Sequence, residues 1–275
     1  MKKSIYLDHA ATTPLDPEVK KAMEPFWSEN FGNPSSIYHA GIKAKEALSQ
    51  ARGKIAKILG AKSSEIVFTA GGTESANLAI LGLSKARGKN LKKPGHIITA
   101  EIEHPAVLNA VRALEKEGFA VSILPVDKYG LVGLEEIKKA IKPETFLISV
   151  MYANNEIGTI EPIAEIGKLL KKTNQERNAE GLSLIYFHTD ACQAAGYLDL
   201  KVDKLGVDLL TLNGSKIYGP KGSAILYIRN GISLKPLIFG GGQENGLRSG
   251  TENVPADIGL AKALELVQKN KNQES

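Results

Sequence analysis

The sequence predicts an α/β fold in which helices sandwich a mostly parallel central sheet. Short apolar, β-rich runs recur along the chain. Most are continuous, not alternating, which suits strands covered on both faces. Stretches with helical periodicity lie between many of them, the order expected of a parallel-rich sheet with crossover helices. A length of 275 residues allows one large domain or two small ones with a sizeable core.

The elements follow in order. Residues Ala40–Leu59 read as a long amphipathic helix with Ala44, Ala47, Leu48, Ala51, Ile55 and Ile58 on one side. The candidate strands are Glu65–Thr69, His96–Ala100, Ala120–Val126, Phe146–Tyr152, Leu184–His188, Asp208–Leu212 and Ala224–Ile228. Between them lie candidate helices at Glu74–Ser84, Ala106–Glu117, Leu134–Lys142 and Ile163–Lys172. A last helix is expected at Val254–Lys269, and the polar end Gln268–Ser275 reads as frayed.

Apolar residues make up 43% and charged residues 24%, an ordinary globular balance. The net charge of +5 comes from 35 basic and 30 acidic residues. The lysines are scattered over helix-like stretches, so they read as a solvated surface and not as a nucleic-acid patch. The N-terminus begins basic, but its apolar run Ile5-Tyr6-Leu7 is too short for a signal peptide. No apolar run approaches membrane-spanning length. The single cysteine, Cys192, excludes an internal disulfide and a multi-cysteine metal site. A cytoplasmic enzyme is the expectation, with no membrane or nucleic-acid partner.

In such folds ligands bind beyond the carboxyl ends of the strands. After the Glu65–Thr69 run comes Ala70-Gly71-Gly72-Thr73-Glu74-Ser75 and then a helix. Free N–H groups and the positive end of the helix dipole make that turn an anion site, with the Thr73 hydroxyl as a further donor. An ordinary turn with Thr73 as helix cap explains the same residues. Thr189-Asp190-Ala191-Cys192-Gln193 follows the Leu184–His188 run. An acid at the end of an apolar strand needs a cation or donors, and a protonated pyridine nitrogen is such a partner. A capping aspartate is the equal alternative. Gln193 could hydrogen-bond a phenolic oxygen on the same ring. After Asp208–Leu212 comes Asn213-Gly214-Ser215-Lys216-Ile217-Tyr218-Gly219-Pro220-Lys221-Gly222. A lysine fixed between a strand end and that turn can form an imine with an aldehyde. Asn213 and Ser215 add polar atoms within reach of a phosphate.

The order of these motifs, with His104 in Glu103-His104-Pro105 and then Asn154-Asn155-Glu156-Ile157-Gly158, closely resembles the cysteine desulfurases of the class-V aminotransferase family. These are pyridoxal-5′-phosphate (PLP) enzymes of fold type I. Tyr6-Leu7-Asp8-His9-Ala10-Ala11-Thr12-Thr13-Pro14 and Phe31-Gly32-Asn33-Pro34-Ser35-Ser36 match the family's opening motifs. Gly240-Gly241-Gly242-Gln243-Glu244 and Leu247-Arg248-Ser249-Gly250-Thr251 match later ones. The resemblance covers essentially the whole chain. It implies an N-terminal arm over residues 1–15, a PLP-binding large domain over 16–253, and over 254–275 the start of a helix connecting to a small domain. It implies that Lys216 carries PLP covalently and moves substrate protons, and that His104 stacks on the ring and assists. By the same resemblance Asp190 pairs with the ring nitrogen and Gln193 with the ring oxygen. Gly72, Thr73, Asn213 and Ser215 hold the phosphate, Thr251 reaches the phosphate of a partner subunit in a homodimer, and Asn155 helps fix the substrate carboxylate.

The chain departs from the family in two places. Ser215 stands where a histidine commonly precedes the PLP lysine, and Asn213 where serine is frequent. Altered contacts with retained phosphate binding are expected. The family's small domain carries a mobile sulfur-accepting cysteine and a carboxylate-binding arginine, and neither is among these 275 residues. Cys192 lies between Asp190 and Gln193 and reads as a small buried residue, not a persulfide carrier. The expected function is desulfuration of L-cysteine to L-alanine with a persulfide, by a chain that reads as truncated, with an iron–sulfur scaffold or other sulfur acceptor as partner. Alternatives are another enzyme of the superfamily, such as a selenocysteine lyase, and a PLP-binding dimeric scaffold without turnover.

Overall fold

All seven apolar runs form strands in the computed structural model, which describes residues 5–87 and 94–274. The first four residues of the expected arm and the final Ser275 lie outside the described residues. The strands are β1 (Ile66–Thr69), β2 (His96–Ala100), β3 (Ala120–Leu124), β4 (Thr145–Ser149), β5 (Tyr186–Asp190), β6 (Leu209–Asn213) and β7 (Ala224–Ile228). They make one sheet in the order β1-β7-β6-β5-β4-β2-β3. The ladders from β3 through β2, β4 and β5 to β6 are parallel, and β7 runs antiparallel to both neighbours. The β2–β4 register shifts between His96 and Ile97, leaving Phe146 as an extra residue.

The continuous apolar runs are explained by two cores, one on each face. Ile66 and Phe68 of β1, Ile98 of β2 and Leu210 and Leu212 of β6 point into the first. Val67, Ile97 and Leu209 point into the second. Such strands cannot afford a polar face, because successive side chains alternate between two dry layers.

The helices are α1 (Pro17–Met23), α2 (Pro25–Ser28), α3 (His39–Leu59), α4 (Gly72–Asn77), α5 (Leu83–Arg87), α6 (Pro105–Lys116), α7 (Leu134–Ala140), α8 (Ile163–Ala179), α9 (Val202–Leu205) and α10 (Val254–Glu274). A π-helical segment, Leu78–Gly82, joins α4 to α5. The first core packs α3 and α10 against the sheet, with α7 and α8 further along. The second core is closed by α4, the π segment and α6. The buried Leu260, Ala261, Ala263 and Leu264 bind α10 to the first core, against α3 and α1.

Two short helices near the N-terminus were not expected from the sequence. Asp16 caps α1 by accepting from Glu18 N (2.7 Å) and Val19 N (3.3 Å), and Pro17 opens the first turn. Only Val19 and Met23 are buried there, too few to show a helical period. Among the described residues no helix is long and apolar enough to cross a membrane.

Candidate active site

The carboxyl ends of the parallel strands and the α4 turn surround a cavity of about 530 Å³, within the range of small-ligand sites. Gly72, Thr73, His104, Asp190, Asn213 and Lys216 all line it. Asn155 and Gln193 line it too. A second cavity of about 320 Å³ shares Ala10, Asn155, Gln193 and Lys216 with the first.

Lys216 ends a tight 3₁₀ turn, Gly214–Lys216, that follows β6 directly. Its Nζ donates to the carbonyls of Ala10 and Ala11, both at 2.6 Å. Gln193 Nε2 donates to the same Ala10 carbonyl at 2.9 Å. The N-terminal arm therefore forms one wall of the cavity through backbone oxygens, a contribution that no side-chain motif reveals. The arm is tied down by Thr13, whose N–H and hydroxyl both donate to the Ser215 carbonyl (2.9 and 3.1 Å).

Asp190 ends β5 and is 7% exposed. Its Oδ1 accepts the N–H of Cys192 at 2.9 Å, so the local capping contact coexists with a place on the cavity wall. Two residues earlier, His188 bridges Ser149 on β4 (Nδ1, 2.8 Å) and Thr211 on β6 (Nε2, 3.0 Å). Burial pushes His188 down to about 3, so it stays neutral and fixes three adjacent strands beneath the site.

Gly72 is a cradle that only a glycine leaves open. A Cβ there would lie 3.0 Å from Asn213 Nδ2 and 3.0 Å from Cys192 Sγ. At Gly71 a Cβ would meet nothing within 4 Å, so that side is open space. Thr73 is exposed at the start of α4. A helix start, an amide side chain and an open glycine turn suit an oxyanion. The lysine amine and the buried carboxylate suit an aldehyde and a pyridinium nitrogen. The donor set therefore fits PLP.

His104 lines the cavity and also caps α6, its Nδ1 accepting from Ala106 N at 3.1 Å. The helix-start contact coexists with a place on the cavity wall. In the Asn154-Asn155 pair, Asn154 builds the turn. Its Oδ1 accepts from Glu156 N (2.9 Å) and Ile157 N (3.1 Å), and its Nδ2 donates to Ile102 O (3.1 Å). Asn155 is the one that lines the cavity, with Nδ2 on Glu156 Oε1 at 2.6 Å. One expected contact is not gathered here. Ser215 is absent from the lining, and its hydroxyl donates to Asn213 Oδ1 at 3.2 Å. Thr251, expected to serve a partner subunit's site and not this one, is exposed and outside the lining. Cys192 is 8% exposed, and burial with the neighbouring Asp190 pushes its thiol well above the usual range. That is the character of an inert structural thiol.

Fold and site together define an α/β protein with a lysine-bearing ligand cavity at the strand carboxyl ends. The chain matches the family Aminotransferase class-V over residues 5–275, and it belongs to that family, whose members depend on PLP. It is 54% identical to a protein named cysteine desulfurase IscS from Dictyoglomus turgidum over 266 residues, 97% of this chain and 64% of that relative. A protein of the same name from Clostridium botulinum is 51% identical over 275 residues, 100% of this chain and 66% of the relative. The chain thus spans about two thirds of the length of these relatives. Among solved structures, a NifS-like protein superposes with a TM-score of 0.92 at 41% identity, over 98% of this chain and 71% of that one. SspA in complex with cysteine gives 0.88 at 45% identity, over 95% and 72%.

Proposed function

We propose that this chain is the cofactor-binding portion of a PLP-dependent cysteine desulfurase, which converts L-cysteine to L-alanine and passes the sulfur to a thiol. The observation that carries the reading is the convergence of the Lys216 amine, the Asp190 carboxylate and the Gly71–Thr73 turn on one cavity. The relatives named cysteine desulfurase support the reaction, and the SspA structure with cysteine supports the substrate class.

When bound, PLP supplies an electron sink that weakens bonds at the substrate's α-carbon. In this reading Lys216 would hold the cofactor through its amine, and that amine would carry protons at the substrate carbons. The Ala10 and Ala11 carbonyls orient that amine. With PLP bound, Asp190 would pair with the ring nitrogen, Gln193 would donate to the ring oxygen, and His104 would pack on the ring. Gly72, Thr73 and Asn213 would hold the phosphate, with the Ser215 hydroxyl orienting the Asn213 amide from behind, and Asn155 would orient the substrate carboxylate. Thr251 serves the partner's phosphate in a homodimer.

The sulfur step needs a thiol: the thiol's sulfur bonds to the cysteine sulfur, the carbon–sulfur bond breaks, and the products are a persulfide and alanine. Cys192 is unsuited, being buried with a raised pKa. A thiol outside these residues therefore accepts the sulfur, for delivery to an acceptor such as an iron–sulfur scaffold protein. The same burial favours a second reading, a PLP-binding dimeric scaffold without turnover.

The test adds PLP, L-cysteine and a dithiol reductant to the purified chain. Visible cofactor absorption and alanine with sulfide are expected, both lost in Lys216→Ala. Cofactor absorption without alanine sinks the desulfurase reading for this chain and leaves the scaffold. Absence of cofactor absorption sinks both.

A further inference from the structure

Glu103 directly precedes His104 in the loop after β2 and is 4% exposed. Its Oε1 accepts the backbone N–H of Met151. Its Oε2 is buried with no hydrogen-bond partner among the described residues. An ionised carboxylate with a bare buried oxygen is costly, so the group is expected to keep its proton. Burial pushes the Glu103 carboxyl well above the usual range, and the nearby Asp190 and Glu161 carboxyls push it the same way, against the Met151 hydrogen bond, which opposes the rise.

Met151 follows β4 and lines the cavity, as His104 does. The two loops that carry them meet twice, through Glu103 to Met151 N and through Asn154 Nδ2 to the Ile102 carbonyl. The next residue continues the path, since Tyr152 N donates to the Asp190 carbonyl at 2.8 Å. A line of hydrogen bonds therefore runs from the His104 loop through Glu103 to the Met151 loop and on to the end of β5. No other side chain among the described residues spans from the His104 loop to the Met151 backbone.

We propose that Glu103 is a positioning residue that, as a neutral acid, clamps the His104 loop to the Met151–Asn155 loop and so fixes two walls of the cavity. Its neutrality matters as much as its reach. An ionised Glu103 would place a second anion near Asp190 and compete with it for a cation in the cavity. A neutral one leaves that place to Asp190, which lines the cavity. The proposal deepens the PLP reading and rests on it.

Two variants of the full chain test the idea, Glu103→Gln and Glu103→Leu. The glutamine keeps an acceptor for Met151 N and mimics the protonated acid; the leucine leaves that buried N–H without a partner. The first readout needs no cofactor. At neutral pH the infrared difference spectrum, wild type minus Glu103→Gln, should show the carbonyl stretch of a protonated carboxyl group, because the band that Asp257 adds is common to both proteins and cancels. The second readout is PLP titration followed by visible absorption. Glu103→Gln should match the wild type within about twofold, with the same band and the same pH titration of it. Glu103→Leu should bind about tenfold more weakly, the equivalent of one lost hydrogen bond. If circular dichroism shows that Glu103→Leu does not fold, Glu103→Asp, one methylene too short to reach Met151, takes its place with the same expectation.

A difference spectrum without that band overturns the neutral acid. Binding by Glu103→Leu equal to the wild type overturns the clamp, and so does a Glu103→Gln variant as weak as Glu103→Leu. A wild type that takes up no PLP refutes the cofactor reading instead, and the infrared band still decides the protonation state.

Discussion

Asp257 should make this protein lose stability as the pH rises from weakly acidic to weakly alkaline. It lies in the first turn of α10, 3% exposed, and its Oδ1 accepts the Ser223 hydroxyl at 2.7 Å. Burial pushes its carboxyl up to about 8. The Ser223 hydrogen bond and the Arg52 and Arg248 guanidiniums oppose that rise, and the Glu244 carboxyl adds to it. In the unfolded chain an aspartate ionises near ~3.9. Between those two values the folded state holds one more proton than the unfolded state, so stability falls with pH. The contribution is complete below ~4 and is gone once the pH passes about 8. Each pH unit in the window costs ~1.4 kcal/mol, which sets a ceiling of roughly 5.5 kcal/mol. The positive end of the α10 dipole favours the anion by roughly 0.3–2 kcal/mol. A fall of about 3–5 kcal/mol remains. Asp257→Asn keeps an oxygen for Ser223 and removes the titration. Urea unfolding of both proteins at several pH values reads the difference directly, and Glu103, which shifts in the same direction in both, cancels from it. The variant should gain about 3 kcal/mol on the wild type across this window. A stability difference that stays constant with pH would refute the reasoning.

Glu244 accepts from both Arg52 terminal nitrogens (2.7 and 2.6 Å) and from Phe68 N (2.8 Å), at a side-chain exposure of 2%. Glu244→Ala strands the half-buried guanidinium and should lower the urea-unfolding free energy by about 3 kcal/mol; a loss under ~1 kcal/mol would show the pair to be idle. Gly72→Ala places a methyl 3.0 Å from Asn213 Nδ2 and Cys192 Sγ, and should weaken PLP binding in absorbance titrations by tenfold or so. Adding Cys192→Ala relieves one of those contacts and should restore part of the affinity; a double variant no better than Gly72→Ala would count against the crowding argument. By itself Cys192→Ala should leave alanine formation from L-cysteine unchanged, and a loss of product would place the thiol in the chemistry.

The sheet was legible because strands dry on both faces must be written in continuous apolar residues. His96–Ala100 and Ala224–Ile228 coincide with strands end to end. The other runs are off by one to three residues where the apolar stretch and the hydrogen-bonded ladder part. Glu65 closes a 3₁₀ turn ahead of β1, and Val150 and Met151 continue the β4 run after the sheet has ended. Lys216, Asp190, Gln193, His104 and the glycine turn could be found because each follows an apolar run. Glu103 could not be separated from a surface glutamate, since its burial comes from the Met151 loop, 48 residues away. The clue was its place beside His104 between a strand and a helix, which singles out the loop and says nothing of the side chain's depth. Asn154 and Asn155 illustrate the same limit. Adjacent identical residues split into a turn-builder and a cavity-liner by a backbone geometry that the letters do not encode.

The arm shows most clearly why the site exceeds its motifs. Thr13 binds the Ser215 carbonyl twice and accepts from Tyr218 N at 2.7 Å, and Asp16 N donates to the Tyr218 carbonyl at 3.0 Å. These bonds fasten the arm on both sides of Lys216, while Ala10 and Ala11 hold the amine itself. Tyr218 has a left-handed φ of 58°, a conformation that costs a non-glycine residue energy unless its surroundings impose it. The Thr13 and Asp16 contacts on Tyr218's backbone are such an imposition. The lysine turn is therefore shaped by segments some 200 residues apart in sequence, and the arm is a wall of the site in its own right. A reactive amine aimed by backbone carbonyls needs no particular side chain at positions 10 and 11. It needs residues small enough to let the carbonyls approach, and alanine stands at both.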